Sequence, residues 1–129
     1  MIPNKRNTSQ KVKILEYLKG QRQVRKAEEV FAEVRKTLPA ISLSTVYRNL
    51  NNLSSEGIIS RIEVRGEFHY DADHCGKQYL VCRNCGKITS KSDIEVTESL
   101  LPNLTEKEFI PDCVQVLVYG KCKDCGGLK

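Results

Sequence analysis

Two cysteine pairs constrain this chain more than anything else in it. Cys82 and Cys85 lie in YLVCRNCGKI (79–88), and Cys122 and Cys125 lie in YGKCKDCG (119–126). Each pair follows a short apolar, strand-like run, and each second cysteine is followed by glycine. That layout suits a tight turn in which backbone amides face two thiolates. Two such knuckles supply four thiolates to one ion, the closed tetrahedron of a structural zinc rather than the open site of a catalytic one. The competing chemistries are a pair of disulfides or a thioredoxin-like redox pair. No signal-peptide pattern precedes the chain and no βαβ context surrounds either pair, which weighs against both. The expectation is one structural Zn2+ per monomer.

At 129 residues the chain makes one domain or two small ones, each marginal on its own core. Tryptophan is absent and there are 5 tyrosines and 3 phenylalanines, so a small half gains from a metal staple. No apolar run approaches a membrane span, so the expectation is a soluble, cytoplasmic protein with no membrane partner. Residues 1–70 carry 13 Lys/Arg against 7 Asp/Glu, net +6, whereas residues 71–129 carry 8 against 9, net −1. A basic first half points to a polyanion as its partner.

The order of elements supports this. Residues 1–7 read as a polar, basic arm. Thr8 or Ser9 is the expected N-cap of a first helix with Val12, Ile14, Leu15 and Leu18 as its apolar stripe, ending at Gly20. Lys11, Lys13 and Lys19 lie off that stripe. A second helix is expected over 25–37, burying Ala27, Val30, Phe31 and Val34 beneath Glu28, Glu29 and Glu33, and Pro39 closes it. The third begins at Ser42 or Ser44 and runs to Gly57, with Val46, Leu50 and Leu53 at i, i+4 and i+7. Its other face carries Thr45, Tyr47, Arg48 and Asn49, which a helix core does not require. Hydroxyls for phosphates, an aromatic ring and an arginine able to grip guanine suit a recognition helix; the plainer alternative is an ordinary surface helix. A strand over 58–64, a turn at 65–67 and a return over 68–70 complete a winged helix, with Arg61 and Arg65 on or near the wing. Residues 72–76, ADHCG, read as a hinge. The zinc half follows, with strands over 78–81 and 86–90, a short helix over 94–101 and a last strand over 113–119.

With these pieces in place, the chain resembles the ferric uptake regulator family of metal- and peroxide-responsive regulators over nearly its whole length. RNTSQKVKIL (6–15), AEEVF (27–31), ISLSTVYRNL (41–50), CRNCGKI (82–88) and YGKCKDC (119–125) carry the match. The resemblance implies an α+β chain: an N-terminal winged helix over 1–71, the hinge, and a small α/β dimerisation domain over 77–129 stapled by the four-cysteine site. It implies a homodimer on an inverted-repeat operator in double-stranded DNA, acting as a repressor, with no enzymatic activity and no small-molecule substrate. Cys82, Cys85, Cys122 and Cys125 match the family's structural zinc ligands. Arg6, Lys11, Tyr47 and Arg48 match residues at or near the DNA, and Ser44, Thr45 and Arg65 join them from the reading of the third helix and the wing.

The departures from the family bear on sensing. Where relatives carry a histidine-rich run before the first knuckle, this chain has Lys77, Gln78 and Tyr79. Val24, Ser90 and Val114 stand at three further ligand positions, and Asp71 alone remains. Lysine and tyrosine do not replace imidazoles for Fe, Mn or Zn, so a second, regulatory metal is not expected at the usual place. The remaining sensory candidates are His69, His74, Cys75, Cys113 and Asp71; a reversible disulfide or a soft ligand would suit the two cysteines. The alternative for them is plain packing and an exposed hinge. Two other functions stay open at this point: a zinc-ribbon protein-interaction module without DNA binding, and a thiol oxidoreductase using a C-x2-C pair.

Overall fold

The computed structural model describes residues 5–72, 77–92, 99, 102, 106–111 and 114–126, and the side chains of 5–8 and 92 are outside that description. The chain divides into two compact units, Met1–His74 and Cys75–Lys129. The fold is α+β, with three helices and a hairpin followed by a second, three-stranded sheet.

The first unit is built from α1 (Lys5–Lys19), α2 (Ala27–Val34), α3 (Leu43–Ser55), β1 (Ser60–Val64) and β2 (Glu67–Asp71). Its core joins Ile14 and Leu18 of α1, Ala27, Val30 and Val34 of α2, and Val46, Leu50 and Leu53 of α3 with Ile41, Ile59 and Tyr70. The i, i+4, i+7 stripe of α3 therefore does what its spacing requires. Ser42 caps this helix, its hydroxyl accepting from the Thr45 N–H at 3.2 Å. At the other end Gly57 takes φ 76° and the Leu53 carbonyl accepts from the N–H of Ile58 and Ile59, a Schellman-like stop. β1 and β2 pair antiparallel with Val64 opposite Glu67. The two-residue turn between them needs left-handed backbone at both positions, and Arg65 and Gly66 supply it at φ 56° and 79°.

Several expectations for this unit are corrected. α1 begins at Lys5, so Thr8 and Ser9 lie inside the helix and do not cap it, and Arg6 is helical rather than part of an arm. Lysine and arginine are good helix formers, so nothing between Lys5 and Thr8 stops the helix from starting early. Val12 is 46% exposed, because Ile14 and Leu18 define a buried stripe four residues apart that leaves Val12 on the opposite side. α2 is shorter than 25–37: Lys26 is its N-cap, and Arg25 is occupied in an isolated bridge to Tyr70, each N–H bonded to the other's carbonyl. Ile58 is spent on the end of α3, which is why β1 starts two residues later than its alternation suggests.

The second unit contains β3 (Lys77–Cys82), β4 (Ile88–Ser92), β5 (Val116–Gly120) and the single turn α4 (Lys123–Gly126). β3 is central, antiparallel to β4 and parallel to β5. Among the described residues its buried apolar side chains are Tyr79, Val81, Cys82 and Ile88. The last strand begins at Val116 rather than 113; Val114 and Gln115 precede it without strand pairing. The helix expected over 94–101 lies outside the described residues apart from Ser99, whose backbone is helical. No helix among the described residues is long and apolar enough to cross a membrane.

Candidate metal centre and nucleic-acid interface

The sheet of the second unit brings the two knuckles together. β3 and β4 are joined by the turn that holds Cys82 and Cys85: the Cys82 N–H donates to the Lys87 carbonyl at 2.9 Å and the Gly86 N–H to the Cys82 carbonyl at 2.9 Å. Gly86 sits at φ 80°, where a side chain would be strained. Parallel pairing then sets Cys82 opposite Gly120, and the Arg83 N–H donates to the Gly120 carbonyl at 2.8 Å. Two residues on, Cys122 opens α4, accepting from the N–H groups of Cys125 and Gly126. As a result the sulfurs of Cys82, Cys85, Cys122 and Cys125 all lie within 4.8 Å of one another, two knuckles from opposite ends of the unit.

These sulfurs fit zinc. Zn–S bonds of about 2.3 Å in a tetrahedron put the sulfurs roughly 3.8 Å apart, and Cys85 and Cys122 are 3.7 Å apart. The Cys85 N–H points at the Cys82 sulfur at 3.5 Å. Backbone N–H groups of Cys85 and then Cys122 hold the Cys82 thiol well below its ordinary value, at about 6. Cys125 shows the opposite. The Asn84 side chain draws it down, but the neighbouring sulfurs of Cys122 and Cys85, burial and Cys82 outweigh that and push the thiol up to about 11. Four sulfurs this close cannot all ionise alone, and a dication at their centre removes the conflict. All four are free thiols, so neither pair forms a disulfide. Among the described residues no other group of three or more His, Cys, Asp or Glu side chains is placed to hold a metal. Asn84, between the first two cysteines, was not singled out from the sequence, although its place inside C-R-N-C marks it.

At the positions where the family resemblance implies sensory ligands, the structure has other residues or buried ones. Tyr79 is buried in the core of the second unit and Gln78 is buried beside it in sequence. His69 and Asp71 are both buried on β2. Burial, then the nearby Lys26 charge, holds the His69 imidazole below its ordinary value. His74, Cys75 and Cys113 lie outside the described residues.

In the first unit, α3 turns Ser44 and Arg48 outward, with Thr45 and Tyr47 half-buried. The hydroxyls of Ser42, Ser44 and Thr45 cluster at its N-terminus, 3.2 Å and 2.9 Å from one another through Ser42. Asn49 does not join them: it is buried, and its amide donates to the Thr45 carbonyl at 3.0 Å. Tyr47 is tied across to α2, its hydroxyl donating to Glu28 Oε1 at 2.5 Å. The Asn51 side-chain Oδ1 accepts from the Tyr70 hydroxyl at 2.9 Å and from Arg61 at 3.3 Å, which fixes α3 to both wing strands. Arg61 also stacks over Phe68 at 4.4 Å, so its charge serves the wing's own packing, while Arg65 stands at the wing tip. Lys11 on α1 pairs with Glu56 just after α3 at 3.6 Å. Arg6 lies in the first turns of α1, with its side chain outside the description.

A profile of the ferric uptake regulator family matches residues 3–119. The chain belongs to that family. Members of the ferric uptake regulator family are transcriptional regulators, not enzymes. The zinc uptake regulation protein of Mycobacterium tuberculosis is 31% identical over 123 residues, covering 93% of this chain and 94% of the relative. The ferric uptake regulation protein of Staphylococcus epidermidis is 33% identical over 103 residues, covering 77% and 71%. The crystal structure of the Campylobacter jejuni peroxide stress regulator superposes with a TM-score of 0.79 at 30% identity, over 93% of this chain and 91% of that one. Membership of a family of transcriptional regulators speaks against an oxidoreductase, and the four-cysteine cluster fits a structural zinc site.

Proposed function

We propose that the protein is a cytoplasmic, homodimeric repressor that binds an inverted-repeat operator in double-stranded DNA, with one structural zinc per chain. The observation that carries this reading is α3. It buries Val46, Leu50 and Leu53 and leaves Ser44, Thr45, Tyr47 and Arg48 away from that stripe, beside a hairpin whose tip is Arg65. Arg48 is the residue for a base edge or phosphate, Ser44 and Thr45 for phosphates, and Arg6, Lys11 and Arg65 for the flanking backbone. A dimer interface in the second unit is supported by its exposed Leu80, Val118 and Tyr119, apolar surface that a second copy would cover.

In this reading the sensory input differs from that of relatives with a histidine-rich site. The protein binds DNA with structural zinc alone, or responds through Cys75 and Cys113, with His69, His74 and Asp71 as the other candidates. The decisive test is a salt-dependent binding assay on the duplex selected by the wild-type protein from a random pool. Arg48→Ala should cost about 1–3 kcal/mol if the guanidinium grips a base. Unchanged operator affinity in both Arg48→Ala and Tyr47→Ala would sink the recognition-helix assignment.

A further inference from the structure

The Tyr47 hydroxyl is already committed before any DNA arrives. Its 2.5 Å bond to Glu28 Oε1 joins residues 19 apart in sequence, one on α2 and one on α3. That length belongs to an O–H donating to a charged carboxylate. The same bond, ahead of all other causes, holds the Glu28 carboxyl below the usual carboxylate range and pushes the Tyr47 phenol up to about 12. At neutral pH the proton is therefore on the phenol and the charge on Glu28. The neighbouring cations are engaged elsewhere: Lys26 pairs with Glu67 at 2.5 Å and Arg25 with Glu29 at 3.0 Å.

A phenol has one proton to give. With that proton spent on Glu28, the Tyr47 oxygen offers lone pairs only, and the carboxylate beside it likewise only accepts. This corner of α3 can take a hydrogen bond but cannot donate one. In the major groove the donors are the amino groups of adenine N6 and cytosine N4, whereas guanine O6 and N7 and thymine O4 are acceptors. Phosphate oxygens are acceptors as well.

We infer that Glu28 is a specificity-determining residue of operator reading: by holding the Tyr47 proton, it makes the Tyr47 hydroxyl an acceptor that reads an amino-bearing base, adenine or cytosine, and turns away phosphate, guanine and thymine. This rests on α3 being the helix that reads DNA. Glu28 acts through Tyr47 and through its own charge, which repels phosphates and so lowers affinity for every sequence. Selectivity is obtained here by a repulsive element, at the expense of general affinity.

The test uses full-length, zinc-loaded protein, the duplex selected from a random pool by the wild type, its single-base-pair variants, and a random-sequence duplex. Glu28→Leu removes the charge and both acceptor oxygens at similar size, so that the Tyr47 proton is released, and Tyr47→Phe removes the hydroxyl. The position that Tyr47 contacts is the one whose base preference disappears in Tyr47→Phe. Wild type should prefer adenine or cytosine there, on the contacted strand. Glu28→Leu should lose about tenfold of that preference, while its affinity for the random duplex rises about threefold as the repelling charge goes. Far-ultraviolet circular dichroism and melting temperature should stay near wild type, which separates base reading from a structural role. The inference is overturned if Glu28→Leu keeps a preference that Tyr47→Phe loses, if the preferred base is guanine or thymine, or if Tyr47→Phe alters no position. If instead Tyr47→Ala and Arg48→Ala both leave selected-site affinity unchanged, it is the recognition-helix reading that fails, and this inference goes with it.

Discussion

The two units of this chain solve the same problem, too few large side chains, in different ways. The first closes an apolar core within itself, eleven buried hydrophobic residues drawn from three helices, their connections and the wing. The second buries four apolar residues among those described, and leaves Leu80, Phe109, Ile110, Val118 and Tyr119 on its surface. The second unit also brings four cysteine sulfurs within 4.8 Å of one another, and the binding free energy of an ion held there would add to the unit's folding free energy.

The sharpest way to break this comparison is to remove a ligand. Cys82→Ser or Cys122→Ser should abolish zinc binding and with it the second unit's fold, since apparent zinc-binding free energies in small sites run to about 10–16 kcal/mol. Amide hydrogen exchange should show protection lost across β3 and kept in α1 and α3. A variant that retains full zinc and a protected β3 would show that the four cysteines are not the staple.

The converse variant is Leu50→Ala, at a fully buried position on α3. It should cost about 2–5 kcal/mol, read as a lower melting transition of the first unit, with zinc content per chain unchanged. Zinc loss in that variant would mean that the two units do not stand on separate supports.

Lys11→Ala probes a smaller term. The pair with Glu56 is at the surface, so its loss should change stability by about 0–1 kcal/mol. If Lys11 meets a phosphate, the same variant should weaken binding to all duplexes alike and flatten the logarithmic salt slope by about one unit.

The smallest expected effect concerns a second metal. Titrating Fe(II), Mn(II) or Zn(II) into protein that already holds its structural zinc should change operator affinity by less than about tenfold, roughly 1.4 kcal/mol of coupling, because a ligand without a site favours neither state. A larger gain would show that the second unit's chemistry is not confined to its staple.

What was legible in the sequence was whatever a short window encodes. The stripe Val46, Leu50 and Leu53, the stop at Gly57 and both knuckles are local patterns, and each forms where its pattern lies; the turn expected over 65–67 is one residue shorter, since Glu67 already pairs with Val64 at the start of β2. Errors arose where one local signal competes with another. Thr8 and Ser9 look like caps but sit in a helix that starts earlier, and Asn49 looks like part of a polar face but satisfies a carbonyl one turn back. What a window cannot show is contact at a distance. The parallel pairing of β5 with β3, the Arg25 bridge to Tyr70 and the Glu28 bond to Tyr47 each join residues from separate elements. The four cysteines were thus readable as one metal-binding set, and the contacts that tie separate elements together were not.

The parallel pairing of β3 with β5 also sets an order of events during synthesis. A hairpin such as β1–β2 closes as soon as its few residues exist, but β5 cannot settle beside β3 until residues 116–120 have been made. The third and fourth sulfurs come later still, at 122 and 125. Non-local, parallel pairings are slow to form because the intervening loop must close first, and domains made early fold early. The first unit can therefore be complete on a nascent chain whose second unit is still open, with Cys82 and Cys85 waiting for partners.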